Sequence, residues 1–483
     1  MELMNWISMV PLQEEIFLAV VAMVLLMVGA FKGNASSSFI MSTIIISCVL
    51  AILHLGFADK DISQNTLNGM IIRDGFSDWM KMIVLSGIIA SLFLSVSWLK
   101  ENSLFKFEYP ILVLFSGIGM MLMLSANNFL SLYVALELSS LSLYVLASIN
   151  RDNLLSTEAG LKYFILGALS SGLLLFGISL VYGYTGTLSY AGVASFLQMS
   201  EGMPAGVMVG MAFMLAGLAF KVSAVPFHMW TPDVYQGAPT PVTALFAIVP
   251  KVAALGLIIR LLTGPFATLD NHYSQIIMFV AVASMIVGAF AGLVQNNIKR
   301  LLAYSSIANM GFAMLGLLPG TPDGVASVII YVSIYMVMVA GAFAILMTLK
   351  RNGQAIESIP DFAGLSKTSP FLAYAMAGLL FSMSGIPPLA GFFGKFFVFQ
   401  AAVSGGYFVV AVIGVLTSVV AAYYYLRLIK IMFFDEPSGV MAEATSLSRH
   451  VVTIGSVAFI LLFTFMPNQL LAEAMRSALT LFP

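Results

Sequence analysis

Apolar residues along the chain gather into runs of about twenty, the length an α-helix needs to cross the ~30 Å hydrocarbon layer of a bilayer. Taken in order, these runs predict fourteen membrane helices, over residues 12–31, 38–58, 79–98, 109–125, 129–149, 158–184, 205–226, 240–263, 273–294, 299–318, 324–349, 370–403, 407–432 and 450–472. The twelfth is interrupted at Ser384-Gly-Ile-Pro-Pro388, and the seventh runs into Pro226. Residues 189–200 read as a short interfacial helix between the sixth and seventh. Too little polar sequence separates the runs for an extramembrane domain, so the expected fold is an all-α polytopic membrane protein.

Composition narrows the function. Over 483 residues, 60% are hydrophobic and 9% charged, with a mean hydropathy of +1.00, which excludes a soluble globular domain. The balance of 21 basic against 22 acidic residues leaves no nucleic-acid footprint. A single cysteine, Cys48, supplies neither a disulfide framework nor an iron–sulfur ligand set. No CxxC or HExxH occurs, and 391–396 (GFFGKF) lacks the spacing and preceding strand of a phosphate loop. No cofactor or metal site is therefore predicted in this chain, and energy for transport must come from an ion gradient or a partner. The N-terminus carries Glu2, Glu14 and Glu15 instead of a basic leader, so the first run reads as a retained span.

Basic residues set the orientation. Loops after odd-numbered spans, with adjoining helix ends, carry twelve lysines and arginines, including Lys106, Arg151, Lys299, Arg300 and Arg449; those after even-numbered spans and the tail carry five, Lys60, Arg73, Lys81, Arg260 and Arg476. The positive-inside rule puts the first set in the cytoplasm and both termini outside, in the periplasm of a bacterial inner membrane.

Four lysines remain, Lys162, Lys221, Lys251 and Lys395, within or at the ends of apolar spans, and Glu137 is the one acid read as comparably placed. A lysine at the centre of a bilayer costs ~2.5–3.5 kcal/mol on insertion scales, so such residues persist where a polar pathway needs them. Burial and like-charge neighbours disfavour the charged amine, and a lysine that can be neutral or charged is a proton carrier. Lys162 sits one helical turn after Glu158, a pair that a purely structural role would also explain. Snorkelling would account for Lys221 or Lys395 only nearer the interface. His228, just beyond Pro226, and Tyr304 are secondary candidates for the same path, whereas His54 and His272 lie near span ends and read as incidental.

A repeat organises these residues. Residues 222–226 (VSAVP) match 383–387 (MSGIP) by residue type at an offset of 161, each at a break in an apolar span. Residues 138–141 match 304–307 at 166, and Arg260-Leu261 match Arg427-Leu428 at 167. Two units of five spans explain the offset, and because five is odd they run in opposite directions. The expected layout is three N-terminal helices over 1–106, a first unit over 107–264, an inverted second unit over 265–432, and a loop and helix over 433–483. Proline breaks within membrane need polar or hydrated surroundings. Glu137 and Lys221 are expected to form the ion pair of the first unit, while Ala303 stands where the second unit would hold the matching acid.

The segments 135–148 (ALELSSLSLYVLAS), 220–255, 296–316 (NNIKRLLAYSSIANMGFAMLG) and 384–399 (SGIPPLAGFFGKFFVF) resemble the antiporter-like membrane subunits of respiratory complex I, the proton-pumping NADH:quinone oxidoreductase. The similarity runs over essentially the whole chain. It is greatest to the branch with fourteen spans, no long C-terminal lateral helix, and lysine at Lys395 where a sister branch has glutamate. The resemblance implies a proton relay of Glu137 on helix five, Lys162 on helix six, Lys221 on broken helix seven, Lys251 on helix eight and Lys395 on helix twelve. Asn309 departs from the pattern, standing where related sequences often have histidine, which counts against a proton role for the tenth helix at that position. Flavin, iron–sulfur clusters and quinone would belong to partner subunits, both membrane and peripheral. The competing reading is a subunit of a multisubunit sodium/proton antiporter, and a passive scaffold would leave the buried lysines unexplained.

Overall fold

The computed structural model describes residues 11–57, 63–200, 204–351, 354–437, 441–443 and 446–482; Glu2 and Lys60 lie outside them. The chain is helical almost throughout. Helices α1 (Gln13–Lys32) and α2 (Ser37–Phe57) pack on each other across a turn at Gly33–Ser36. A two-stranded hairpin, β1 (Gln64–Thr66) with β2 (Ile71–Arg73), leads into α3 (Gly75–Glu101). Then come α4 (Glu108–Ser125), α5 (Phe129–Ala147), α6 (Leu154–Thr185), the short α7 (Tyr190–Met199), α8 (Ala205–Lys221), α9 (Trp230–Gly237), α10 (Thr240–Ile248) and α11 (Pro250–Thr263). The second half holds α12 (Asp270–Leu293), α13 (Ile298–Leu315), α14 (Pro322–Thr348), the single-turn α15 (Leu365–Thr368), α16 (Pro370–Ser384), α17 (Ala390–Ser404), α18 (Phe408–Phe434), α19 (Leu447–Leu462) and α20 (Asn468–Leu479). Strand β3 (Leu349–Arg351) pairs antiparallel with both β4 (Gln354–Ala355) and β5 (Met441–Glu443).

Local chemistry sets the boundaries. Asp74 caps α3 in a reciprocal box, accepting from Ser77 N at 2.8 Å while Asp74 N donates to Ser77 Oγ at 3.0 Å. Asn153 caps α6 through Ser156 N, and Asn297 caps α13 through Lys299 N and Arg300 N. Gly186, at φ +70, ends α6.

Among the described residues nine helical stretches are long and apolar enough to cross a membrane. The first of them, Gln13–Phe57, contains both α1 and α2, and four further apolar helices, Ala205–Lys221, Pro370–Ser384, Ala390–Ser404 and Leu447–Leu462, are shorter than a full span. The shortness of the first three comes from the breaks the sequence foresees: α8 stops at Lys221 before Pro226, and α16 stops at Ser384 before Pro387 and Pro388. The last apolar run stops at Leu462, ten residues early, and the chain continues as the separate helix α20, which packs on α14 and α3.

The core is formed by α10, α11 and α14, which are covered on almost every side. Several charges that the hydropathy pattern assigns to loops lie inside instead. Lys81 is fully buried against Glu15 at 2.7 Å. Arg260 grips Asp74 through two nitrogens at 2.8 and 2.9 Å. Lys299 meets Glu357 at 3.0 Å, and Arg449 meets Glu101 at 2.9 Å. Glu14 receives Arg73 at 3.0 Å and lies 2.6 Å from His54 Nδ1, so His54 is a hydrogen-bond partner of a buried acid and Glu137 is not the sole acid within the spans. A hydropathy window registers one helix at a time and has no knowledge of the opposite charge a neighbouring helix supplies.

Candidate functional site

Lys221 closes α8, where the unpaired carbonyls of a helix end favour a cation. The backbone then turns through Ser223 at φ +64 and the cis Val225–Pro226 bond. Val225 N donates to Ser284 Oγ of α12 at 2.9 Å, and Trp230 Nε1 donates to Phe220 O at 3.0 Å, so the groups released by the break find partners. The ammonium donates to Ser140 Oγ at 2.7 Å and Tyr144 OH at 3.2 Å, both on α5, and lies 5.6 Å from the Tyr144 ring centre.

Glu137 shares α5 with those two acceptors, yet no carboxylate oxygen of Glu137 lies within ion-pair distance of Lys221. It accepts instead from Ser171 of α6. This corrects the expected Glu137–Lys221 pair: Ser140 and Tyr144, one and two turns further along α5, meet the ammonium first.

Lys251 follows Pro250 at the kink between α10 and α11 and is 1% exposed. It donates to Ser306 Oγ of α13, which also accepts from Tyr335 OH of α14 at 2.7 Å. The Tyr235 ring lies 5.3 Å from its nitrogen. Beside Lys221 is a cavity of about 20 Å³ walled also by Ser140, Tyr163 and Pro250. One water needs ~10–15 Å³, so the space suits a single molecule next to Lys221 and Ser140.

Lys395, on α17, reaches back across its break. Its nitrogen donates to Ser384 O at 3.0 Å and to Ser418 Oγ of α18 at 2.7 Å, 4.9 Å from the Phe312 ring centre. Gly385, at φ +87, leaves the room it occupies: a Cβ there would meet Lys395 Cδ at 3.0 Å.

Helix α13 joins the last two lysines. One turn of it presents Ser305, Ser306 and Asn309, and Phe312 follows on the next. Ser305 Oγ and Tyr425 OH share a hydrogen bond of 2.5 Å, Asn309 Nδ2 donates to Ser305 O at 2.7 Å, and Tyr331 OH donates to Asn309 Oδ1 at 2.7 Å. Tyr331 in turn packs against Gly394, the residue before Lys395. Asn309, against which the sequence pattern counts, therefore stands in the middle of this polar row. Neither the neighbouring Tyr304 nor His228 is among the hydrogen-bond partners of Lys221, Lys251 or Lys395.

Lys162 belongs to a separate group. It pairs with Glu158 at 2.7 Å and with Asp233 of α9 at 2.9 Å, its side chain 41% exposed. Asp233 also receives Arg300 of α13 at 2.7 Å. Asp233 escapes a search for intramembrane acids because it sits in the polar 227–237 stretch after the break. Ser140 and Ser306 fall at matched positions of the 138–141 and 304–307 repeat, whereas Ser418 was legible only as a hydroxyl within an apolar run.

Residues 126–421 match the family described as NADH:quinone oxidoreductase/Mrp antiporter, TM. The chain is similar to NADH-quinone oxidoreductase subunit N of Rhodospirillum rubrum, at 50% identity over 473 residues that cover 97% of both. It is similar to a chain of respiratory complex I from Thermus thermophilus with bound aureothin, at a TM-score of 0.80 and 30% identity, covering 95% of this chain and 98% of that one. A chain of the Mrp complex from Dietzia sp. DQ12-45-1b superposes with a TM-score of 0.86 at 21% identity over 98% and 97% of the two chains, which shows a shared fold. With the family match spanning more than half the chain and half of all residues shared across nearly the whole of a relative, this chain belongs to the NADH-quinone oxidoreductase subunit N family.

Proposed function

We propose that this chain is a proton-translocating membrane subunit of NADH:quinone oxidoreductase, moving protons through Lys221, Lys251 and Lys395 under the drive of redox chemistry in partner subunits. Flavin, iron–sulfur clusters and quinone belong to those partners. The observation that carries the reading is the row itself: three lysines at broken or kinked helices, each donating to a hydroxyl, with Ser305, Asn309 and Tyr331 filling the interval between the second and third. A hydroxyl can accept from an ammonium or donate to a neutral amine, so the same contact serves both states of the carrier.

In this reading the chain crosses the bacterial inner membrane fourteen times with both termini outside, as two inverted units over 107–264 and 265–432, preceded by 1–106 and followed by 433–483. Pairings recur between them: α4 packs on α5 as α12 packs on α13, and α5 on α6 as α13 on α14. Ser140 and Ser306 stand 166 residues apart, the offset of the surrounding motif, and each accepts from a relay lysine. Glu137 tunes Lys221 through space. Lys162, held with Glu158 and Asp233, controls the cytoplasmic approach, and His228 and Tyr304 have no direct part in the path.

Replacing Lys221 or Lys395 by alanine tests this. In inverted membrane vesicles both variants should lose NADH-driven proton pumping and coupled quinone reduction; wild-type proton-to-electron ratios in both would sink the assignment. The antiporter reading is separated by mild-detergent purification. Co-isolation with flavin- and iron–sulfur-containing chains and NADH-dependent activity supports complex I, whereas salt-driven sodium/proton exchange without them supports the antiporter.

A further inference from the structure

Away from the lysine row, α1, α4, α5 and the start of α6 enclose a cavity of about 520 Å³ that none of the relay residues touches. Lys106 and Arg151 stand at its rim with Glu108, Ser148 and Thr157. Leu26, Ile111, Leu112, Phe115 and Val145 make its walls. Along α4 these walls sit one turn apart, at 108, 111–112 and 115, so the cleft starts at a charged helix end and descends between apolar side chains into the membrane-spanning part. All its polar residues lie where α1 and α5 end and where α4 and α6 begin, which is a single face of the membrane.

The rim is built rather than incidental. The loop before α4 is fastened to α1 and the turn after it: Phe107 N donates to Asn34 Oδ1 of the Gly33–Ser36 turn at 3.3 Å, and the Phe107 ring lies so close over Gly29 of α1 that a Cβ there would be 2.1 Å from it. This fixes Lys106, the preceding residue. The Arg151 turn is fastened by Thr157 Oγ1, which donates to Arg151 O at 3.3 Å. Neither Lys106 nor Arg151 forms an ion pair among the described residues, although most other basic residues at helix ends do. Glu108, also unpaired there, lies in the first turn of α4, where the helix end favours an anion. The rim thus carries two cations against one acid.

We propose that this cleft is a binding site for one anionic phospholipid, its phosphate between Lys106 and Arg151 and an acyl chain along Leu26, Leu112, Phe115 and Val145. Two fixed cations above an apolar groove at the membrane surface match a phosphate joined to hydrocarbon. A soluble anion would leave the groove unused, and an apolar protein segment would leave both cations without partners. The site is independent of the proton path, so its test and that of the relay can fail separately.

The test is lipid analysis of the whole detergent-purified complex by mass spectrometry, comparing wild type with a Lys106→Gln/Arg151→Gln double variant. A second variant, Val145→Trp, blocks the groove without altering charge. Each complex is delipidated and then incubated with vesicles of either phosphatidylglycerol or phosphatidylcholine. The expected result is that both variants retain one fewer phosphatidylglycerol per complex than wild type, with phosphatidylcholine retention unchanged and NADH oxidation intact. Glu108→Gln should retain phosphatidylglycerol through higher detergent concentrations than wild type. Equal phosphatidylglycerol retention in wild type and Val145→Trp, equal loss of both lipids, or a polypeptide segment filling the cleft in a density map of the complex would overturn the proposal.

Discussion

Ser306 Oγ accepts from Lys251, and its only other hydrogen-bond partner among the described side chains is Tyr335 OH at 2.7 Å. Lys251 has no second acceptor there, whereas Lys221 has both Ser140 and Tyr144. Ser306→Ala should therefore harm pumping more than Ser140→Ala, and should cost about 1–3 kcal/mol of stability by leaving a buried amine unsatisfied. Proton-to-electron ratios and thermal inactivation of the two variants, measured side by side in membranes, check the ranking. Equal defects would mean that the hydroxyls do not bear the lysines unequally.

The interval between Lys251 and Lys395 has its own test. Tyr331→Phe removes one hydroxyl and leaves the ring against Gly394, so the fold should lose about 1–3 kcal/mol, the cost of leaving the buried Asn309 Oδ1 without its donor. If the row through Ser305 and Asn309 carries protons, pumping should fall while assembly of the complex is unchanged. Tyr425→Phe should act in the same direction, since its hydroxyl holds Ser305.

A third expectation concerns pH. Burial by itself would raise the Asp74 carboxyl, but the Arg260 guanidinium and the Ser77 donors outweigh it and hold Asp74 below the ordinary carboxylate range. A depressed folded-state value stabilises the fold fully above the unfolded value of ~3.9, and that contribution disappears as pH falls through the folded value. Asp74→Asn should cost about 3–5 kcal/mol at neutral pH, because it strands a buried arginine. The gap between variant and wild type in thermal unfolding should hold from neutrality down to mild acid and shrink only in strong acid.

Packing supplies the fourth. Gly288 of α12 faces the backbone of α13, where an added Cβ would lie 2.5 Å from Ala308 N and 2.8 Å from Tyr304 O. Gly119 of α4 meets α5 in the same manner, 2.6 Å from Ser139 N and 2.8 Å from Ala135 O. Close approach of this kind is how small residues join membrane helices. Gly288→Ala should push α13 outward, destabilise the subunit by about 1–3 kcal/mol and weaken pumping through the displaced Ser306 and Asn309. Heat-dependent loss of activity and co-purification of the subunit measure the two effects.

The broken helices were legible because their cause is local: proline and glycine act on the backbone at their own positions, and α8 and α16 end where Pro226 and Pro387 require. Lys221, Lys251 and Lys395 stood out in the sequence because an amine in an apolar run is conspicuous. What they bind was not. Ser140 and Tyr144 intercept Lys221 ahead of Glu137, and that order depends on how α5 and α8 cross, which no single run encodes. Lys81, Arg260, Lys299 and Arg449 read as loop residues because the carboxylates that admit them to the interior, Glu15, Asp74, Glu357 and Glu101, lie far away in sequence.

Asp74 does two things at once: it caps α3 and holds Arg260 near the far end of α11, where Leu124 O also accepts from Arg260 Nε at 2.7 Å. The other end of α11 is the Pro250 kink beside Lys251. The helix is therefore held at both ends, by the Asp74–Arg260 clamp at one and by the contact of Lys251 with Ser306 at the other. The carboxylate that starts α3 thus also fixes the far end of the helix on which the central lysine stands.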